Sequence, residues 1–254
     1  MDCNFITTFP ELLQSVLRES ILKRAQEKGL LRTRVLNLRD YATDRHRTTD
    51  DTPYGGGTGM VMKAEPIFQV IDQLFSEGKN LRIIMPSPQG KPFSQEMALA
   101  WSQESRPLIF ICGHYEGIDE RVRLGLPAEE VSLGDYVLTG GELASLVMVD
   151  ATVRLIPGVL GDAQSMECDS FMNHFLDFPH YTRPVQFRGM NVPEVLLSGN
   201  HEAIRCWRKK QGVKNTLQKR PDLLSQRSLD TEEKRFLEEI QEERVGDPGK
   251  KWAC

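Results

Sequence analysis

Three short stretches pair glycine with aromatic or apolar side chains where an extended, apolar segment has just ended: PSPQG (86–90), CGHYEG (112–117) and GDYVLTGG (134–141). None carries the lysine of a phosphate-cradling P-loop, and none sets three glycines at dinucleotide-fold spacing. They offer instead bare backbone N–H and C=O groups, apolar side chains at Pro88, Tyr115, Tyr136 and Leu138, and one carboxylate, Glu116. Glycine lets backbone approach a ligand closely. Backbone hydrogen bonds between apolar walls suit the edge of an adenine and a ribose, which points to an adenosyl ligand without a phosphate chain. Each loop alone also reads as an ordinary turn; their recurrence at three strand ends is what points to a pocket.

Two charged residues stand out by context. Arg154 directly follows a strongly apolar run, 143–153. A guanidinium there needs an acceptor, either a carboxylate near the helix end or negative charge developing on a bound substrate. Asp169 stands in DAQSMECDS (162–170), a small, polar, aperiodic segment that reads as a mobile linker. Taken alone, an aspartate in such a segment is simply solvated. The five cysteines (Cys3, Cys112, Cys168, Cys206, Cys254) are scattered, with no CxxC pair, so neither a zinc site nor a disulfide framework is indicated.

The elements carrying these residues alternate in the α/β manner. Residues 4–8 read as a strand, and 10–28 as one amphipathic helix with Leu12, Leu13, Val16, Leu17, Ile21 and Leu22 on one face, stopped at Gly29. A short strand at 34–37 and a helix at 66–76 follow. Strands at 81–85 and 107–112, and a third made of 130–133 with 136–138, end at the three glycine loops. An apolar helix at 143–155 is broken by Pro157-Gly158. Strands separated by helices imply a mostly parallel sheet covered on both faces, with ligands outside the carboxyl ends of its strands. The expected organisation is an α/β domain over 1–161, a flexible linker at 162–172, and a smaller, mainly helical domain over 173–254. In the last, helices are expected near 200–210 and at 230–243, the latter burying Phe236, Leu237 and Ile240.

With 254 residues, 39% hydrophobic and 27% charged, the composition is that of a globular protein. The longest apolar runs, such as PLIFIC (107–112), are far short of a membrane span, and Asp2 stands where a secretory signal carries positive charge. A cytoplasmic location is expected. The net charge of −4 conceals strong patterning. Nine Lys/Arg between Arg183 and Arg220 face only Glu194 and Glu202, leaving about +7, whereas 230–243 holds seven acids against Lys234 and Arg235. Segregated charge is the footprint of a nucleic-acid binder, and equally of a solvated helical surface.

The strings PYGGGTGM (53–60), PSPQG, CGHYEGIDERV (112–122), SLGDYVLTGGE (132–142), RLIPGVLG (154–161), DSF (169–171) and PHYTRP (179–184) go further. In this order, between FITTFP (5–10) and QKRPDLL (218–224), they resemble the bacterial tRNA (guanine-N1)-methyltransferase family, which modifies guanine at tRNA position 37. The resemblance implies a trefoil-knotted, SPOUT-type parallel-sheet domain whose loops bind S-adenosylmethionine in a bent form. On this chain the donor site would comprise Pro88, Gly113, Tyr115, Glu116, the run Leu133, Gly134, Asp135, Tyr136, Val137 and Leu138, and Gly140 with Gly141. It implies Asp169 as the general base that frees guanine N1 and Arg154 as the stabiliser of charge on O6. Glu116 would contact the donor's ammonium group or pair with Arg121 or Arg123, and His180 would touch tRNA or cap a turn. His180, Arg183, Arg188, Arg208, Lys209, Lys214 and Arg220 would hold the anticodon stem-loop. A homodimer with sites shared between subunits is implied, as is a magnesium requirement for which no acidic cluster declares a site. The chain departs from the family at Thr58, where proline is commoner, and at His114, where arginine is.

Three other readings compete. A knotted methyltransferase acting on a different atom would lack the DSF and PHYTRP pair. A non-catalytic RNA-binding adaptor would be expected to have lost Arg154 or Asp169, and a nucleotide-dependent oxidoreductase or kinase would need the missing phosphate motifs.

Overall fold

The computed structural model describes residues 1–78, 80–161, 169–172, 174–225 and 228–246. The chain forms two compact units, Met1–Ala163 and Gln164–Cys254. Most of the expected linker (162–168), and Cys168 and Cys254, lie outside the described residues.

The first unit is an α/β sandwich. Its elements run β1 (Asp2–Thr7), α1 (Pro10–Leu17), α2 (Ser20–Glu27), β2 (Arg32–Asn37), β3 (Asp50–Asp51), β4 (Val61–Met62), α3 (Ala64–Ser76), β5 (Arg82–Pro92), α4 (Gln95–Ser102), β6 (Leu108–Ile111), α5 (Glu120–Gly125), β7 (Ala128–Ser132) and α6 (Gly141–Val153). Five strands form one sheet in the order β2-β1-β6-β5-β7, and every pairing in it is parallel. Side chains alternate across a strand, so neighbouring residues enter opposite cores. Phe5, Ile84 and Phe110 join Leu13, Leu22, Trp101 and Met148 from α1, α2, α4 and α6. Ile6, Ile83 and Ile109 join Ile67, Ile71 and Val122 from α3 and α5. The central strands are therefore apolar throughout, as a sheet buried on both faces demands.

Three expectations are corrected. The helix expected over 10–28 is two, because the backbone leaves helical geometry at extended Glu19 and Ser20 takes φ +49°. Only Leu13, Leu17 and Leu22 then reach the core, and Leu12 and Val16 stay 47% and 43% exposed. PSPQG does not stop its strand: β5 continues to Pro92, and Pro86 and Lys91 both pair with Val131, so Ser87–Gly90 form an outward bulge. Residues 136–138 are not strand; β7 ends at Ser132, whose hydroxyl accepts from the Gly134 N–H at 3.1 Å and turns the chain away.

The second unit contains a short hairpin, β8 (Gln186–Phe187) with β9 (Met190–Asn191), then α7 (Glu194–Leu197), α8 (His201–Lys219) and α9 (Thr231–Gly246). Val213 of α8 packs with Phe236 and Ile240 of α9, with Leu237 partly buried against them. Asp230 caps α9 by accepting from the Glu233 N–H at 2.7 Å, while Glu233 accepts from the Asp230 N–H at 2.8 Å. Among the described residues no helix is long and apolar enough to cross a membrane.

Ion pairs join the two long helices. Lys209 Nζ lies 2.8 Å from Asp230 and 2.9 Å from Glu232, Arg205 meets Glu232 at 2.9 Å, and Lys210 meets Glu239 and Glu243 at 2.8 and 2.9 Å. Hydrogen bonds from Lys209 hold the Asp230 carboxyl at about 2, and those from Arg205 and Lys209 hold Glu232 at about 2. Both values are depressed, so the support they give is complete above the ordinary carboxylate range and is lost as pH falls through their folded values. Acidification from about pH 4.5 to 2 should therefore loosen α8 from α9. Far-UV thermal melts of the full chain should show the second unit losing stability across that window, and Glu232→Gln should flatten the loss.

Candidate active site

The site is built where β6 ends. The Cys112 N–H still bonds to the Ile6 carbonyl at 2.9 Å, and the next carbonyl, of Gly113, accepts from the Gly141 N–H at 2.7 Å. His114 and Gly140 form an isolated antiparallel bridge beside it. The first turn of α6 is thus hung on the end of β6. A side chain at Gly141 would place its Cβ 2.9 Å from Cys112 Cα and 3.0 Å from the Gly113 nitrogen, so only glycine permits this approach.

Beneath the turn lies a buried carboxylate. Glu142 is 1% exposed, and its Oε1 accepts from the Thr7 hydroxyl at 2.6 Å. Its Oε2 lies 3.7 Å from His114 Nδ1, a buried atom with no hydrogen-bond partner. Thr7 Oγ1 also accepts from the Phe9 N–H at 2.8 Å, and the Phe9 ring packs on His114 at 4.4 Å. Sequence reasoning missed this support. Its only signals were a threonine at the end of β1 and a glutamate directly after two glycines.

Around this floor is a cavity of about 390 Å³. The β5 bulge gives one wall with Pro86, Ser87, Pro88 and Gln89; Gly113, Tyr115 and Glu116 give a second; Leu133, Gly134, Tyr136, Val137, Leu138, Gly140 and Gly141 close it. Gly134 has φ +150°, and its carbonyl accepts from the Tyr136 N–H at 2.9 Å. Of the twelve residues expected here, only Asp135 does not line the cavity; it faces solvent. Glycines and apolar side chains make up most of the lining; its charged side chains are Glu116, Glu120 and Arg123, with no lysine. Such a wall fits an uncharged purine and ribose.

Glu116 does not take either arginine offered to it. Arg121 is bound by Asp119 at 2.6 Å, and Arg123 by Glu120 and Glu130, each at 3.2 Å. The Glu116 N–H bonds to the Met60 carbonyl at 3.0 Å, and its side chain lies against Gly59, so the PYGGGTGM loop buttresses this wall. Glu116 lines the cavity and is exposed.

Of the two expected catalytic residues, only Arg154 belongs to the unit that holds this cavity. Arg154 caps the far end of α6, on the order of 20 Å of helix away from Gly141. Asp169 belongs to the other compact unit. The expected RNA contacts also divide. His180, Arg183 and Arg208 line a second cavity of about 340 Å³. Arg188 is exposed beside the Phe187 ring. Arg220 forms a bidentate pair with Asp222, and Lys214 is half-buried and has a partner. Lys209 is held by α9, so it is not the free cation that the charge run suggested. Among the described residues no group of three or more His, Cys, Asp or Glu side chains comes together as for a metal ion. Burial raises the Cys3 thiol to about 12 and raises Cys112 as well, so both are inert packing groups.

A parallel-sheet protein with a ligand cavity of glycine turns at the carboxyl ends of its strands, and no phosphate loop, is the class that fold and site define. The chain belongs to the tRNA (guanine-1)-methyltransferase family, whose family model, described as tRNA (Guanine-1)-methyltransferase TrmD, matches residues 1–226. It is 55% identical over 237 residues to the tRNA (guanine-N(1)-)-methyltransferase of Carboxydothermus hydrogenoformans, covering 93% of this chain and 92% of that one. The like-named protein of Moorella thermoacetica is 52% identical over 242 residues, covering 94% and 96%. That of Staphylococcus carnosus is 52% identical over 238 residues, with the same coverage.

The buried carboxylate yields a direct test. Thr7→Val removes a donor to a buried charge and strands the Phe9 N–H, at a cost of about 2–3 kcal/mol. Urea denaturation should show that loss for Thr7→Val and near wild-type stability for Thr7→Ser.

Proposed function

We propose that the protein transfers a methyl group from S-adenosylmethionine to N1 of the guanine at tRNA position 37. The observation that carries this reading is the cavity of glycine turns and apolar walls, with no P-loop lysine in its lining, in a chain of this family. The cavity suits the adenosyl part of the donor: Gly113, Gly134 and Gly140 line it with backbone, and Tyr136 and Leu138 supply apolar walls. Glu116, unclaimed by the arginines near it, is available to an ammonium group. When bound, the donor supplies an electrophilic methyl group on a sulfonium.

Guanine N1 is protonated at neutral pH and must lose that proton before its lone pair can attack in line. Asp169 takes the proton, a contribution of roughly 10²- to 10⁴-fold. Arg154 stabilises the charge that spreads to O6 as the proton leaves. Holding the base in line with the methyl group contributes about 7–11 kcal/mol more. Magnesium is implied by the resemblance alone, and no step is assigned to it.

Arg154 stands at the far end of α6 from the donor cavity, so we assign the complete site to a homodimer. Supporting this, α1 and α6 pack together, and each carries an i,i+4 apolar pair left exposed: Leu12 and Val16 at 47% and 43%, Leu143 and Val147 at 49% and 51%. A patch of this kind on adjacent helices marks an interface. The trefoil knot is supported by the chain path, because the segment after β7 passes β5 to bond with the end of β6. The second unit is read as the tRNA-binding domain, and the location as cytoplasmic.

Methyl transfer to tRNA transcripts with guanine or adenine at position 37 tests the assignment. Transfer to the guanine transcript alone is expected, falling about 10²- to 10⁴-fold in Asp169→Ala. Transfer to both would mean a different target atom, and tight binding without transfer would mean an adaptor. Val147→Glu should give a monomer by analytical ultracentrifugation and abolish transfer; an active monomer would rule out the shared site.

A further inference from the structure

Within the second unit, α8 presents two unlike faces. Arg205 and Lys209 point to α9 and are paired there. Ile204, Trp207 and Arg208, at i, i+3 and i+4, line the cavity of about 340 Å³ instead. Its other walls come from PHYTRP with Phe178 before it, and from Val185, Val192, Leu196 and Leu197 after it. Arg208 lies over the Phe178 ring at 4.9 Å, and His180 packs on the same ring at 4.6 Å while bonding to Asp177 at 2.8 Å. Tyr181 and Trp207 stand 6.4 Å apart, tilted by 54°.

Three properties define what fits. Tyr181, Val185 and Leu197 are 49%, 53% and 54% exposed, so apolar surface lies open around a concavity. No carboxylate lines the cavity, and among the described residues neither Arg183 nor Arg208 pairs with one. The volume lies at the lower end of the roughly 300–1,000 Å³ typical of small-molecule sites. A grip on phosphates alone would need the cations and not the aromatic surface. An apolar peptide would need the aromatics and not two arginines.

We propose that this cavity receives an unstacked nucleobase from a single-stranded part of the RNA, stacked on Trp207 and Tyr181, with Arg183 and Arg208 meeting the flanking phosphates. Bases in a duplex cannot enter such a socket, whereas loop bases splay out readily. The proposal rests on the tRNA-methylation reading and adds to it a base-holding site in the second unit.

The test measures equilibrium binding of a tRNA transcript to the full-length protein at several salt concentrations. Trp207→Ala should weaken binding roughly 5- to 150-fold, the range for loss of one stacked base, with the salt slope unchanged. Trp207→Phe should restore most of the affinity. Arg208→Gln should instead reduce the salt slope by about 0.7–0.9. S-adenosylmethionine binding should be the same in all. Affinity in Trp207→Ala indistinguishable from wild type overturns the proposal, as does a weakened affinity whose salt slope falls as in Arg208→Gln. If Trp207→Ala melts the unit, Ile204→Trp, which fills the cavity, takes its place: the same loss is expected, and unchanged affinity overturns the proposal. A wild-type protein that binds and methylates the transcript normally separates these outcomes from failure of the methyltransferase reading.

Discussion

The hydrogen bond from the Gly141 N–H to the Gly113 carbonyl is the constraint on which the site depends. It fixes the N-terminus of α6 against the end of β6, and it requires glycine because Cys112 and Gly113 backbone occupies the space of a side chain. It also determines what must lie beneath. Glu142 follows Gly141 directly, so the turn drives a carboxylate into the core, where it is 1% exposed. A buried charge is tolerated only with donors, and Thr7 at the end of β1 supplies one. Three central features, the end of β1, the end of β6 and the start of α6, are thereby locked at one point. The cavity walls hang from it.

The same logic of pairing governs the second unit. The run of cations on α8 looks in sequence like one basic surface, yet the helix period deals it to two sides. Positions 205 and 209 meet the acids of α9 and serve stability. Position 208, on the other side, lies over an aromatic ring instead of a carboxylate. Exposed ion pairs are individually weak, but several share partners here, and a network holds its members more firmly than isolated pairs. Net charge was therefore a poor guide to which cations face a ligand. Apart from Glu202, which meets Arg205 at 2.8 Å from within α8, the acids that oppose them lie 21 or more residues away in sequence, where only the fold brings them together.

Much of the architecture was legible because a parallel sheet buried on both faces leaves long apolar runs and glycine-marked strand ends. The cavity was legible for the same reason, since eleven of its expected residues sit on loops that glycine forces near those ends. What escaped was non-local. The bulge at Ser87–Gly90 depends on β5 pairing twice with Val131, which local pattern cannot register. The break at Ser20 has neither glycine nor proline to announce it. Glu116 looked ready to pair with Arg121 or Arg123, but Asp119, Glu120 and Glu130 lie closer.

Keeping catalytic charge out of the proposed donor cavity would have a physical rationale of its own. A carboxylate that must deprotonate guanine, held permanently inside an apolar adenosyl cavity, would pay a desolvation penalty in the resting enzyme. Arg154, at the far end of α6, lies away from that cavity, and in the proposed homodimer a second subunit would bring its charge to the site. In that dimer the apolar pairs on α1 and α6 would serve more than association. Arg154 follows directly on the helix that carries Leu143 and Val147, so an interface formed by that helix would position the guanidinium as it buries the apolar pair. Assembly and catalytic geometry would then be set by one element.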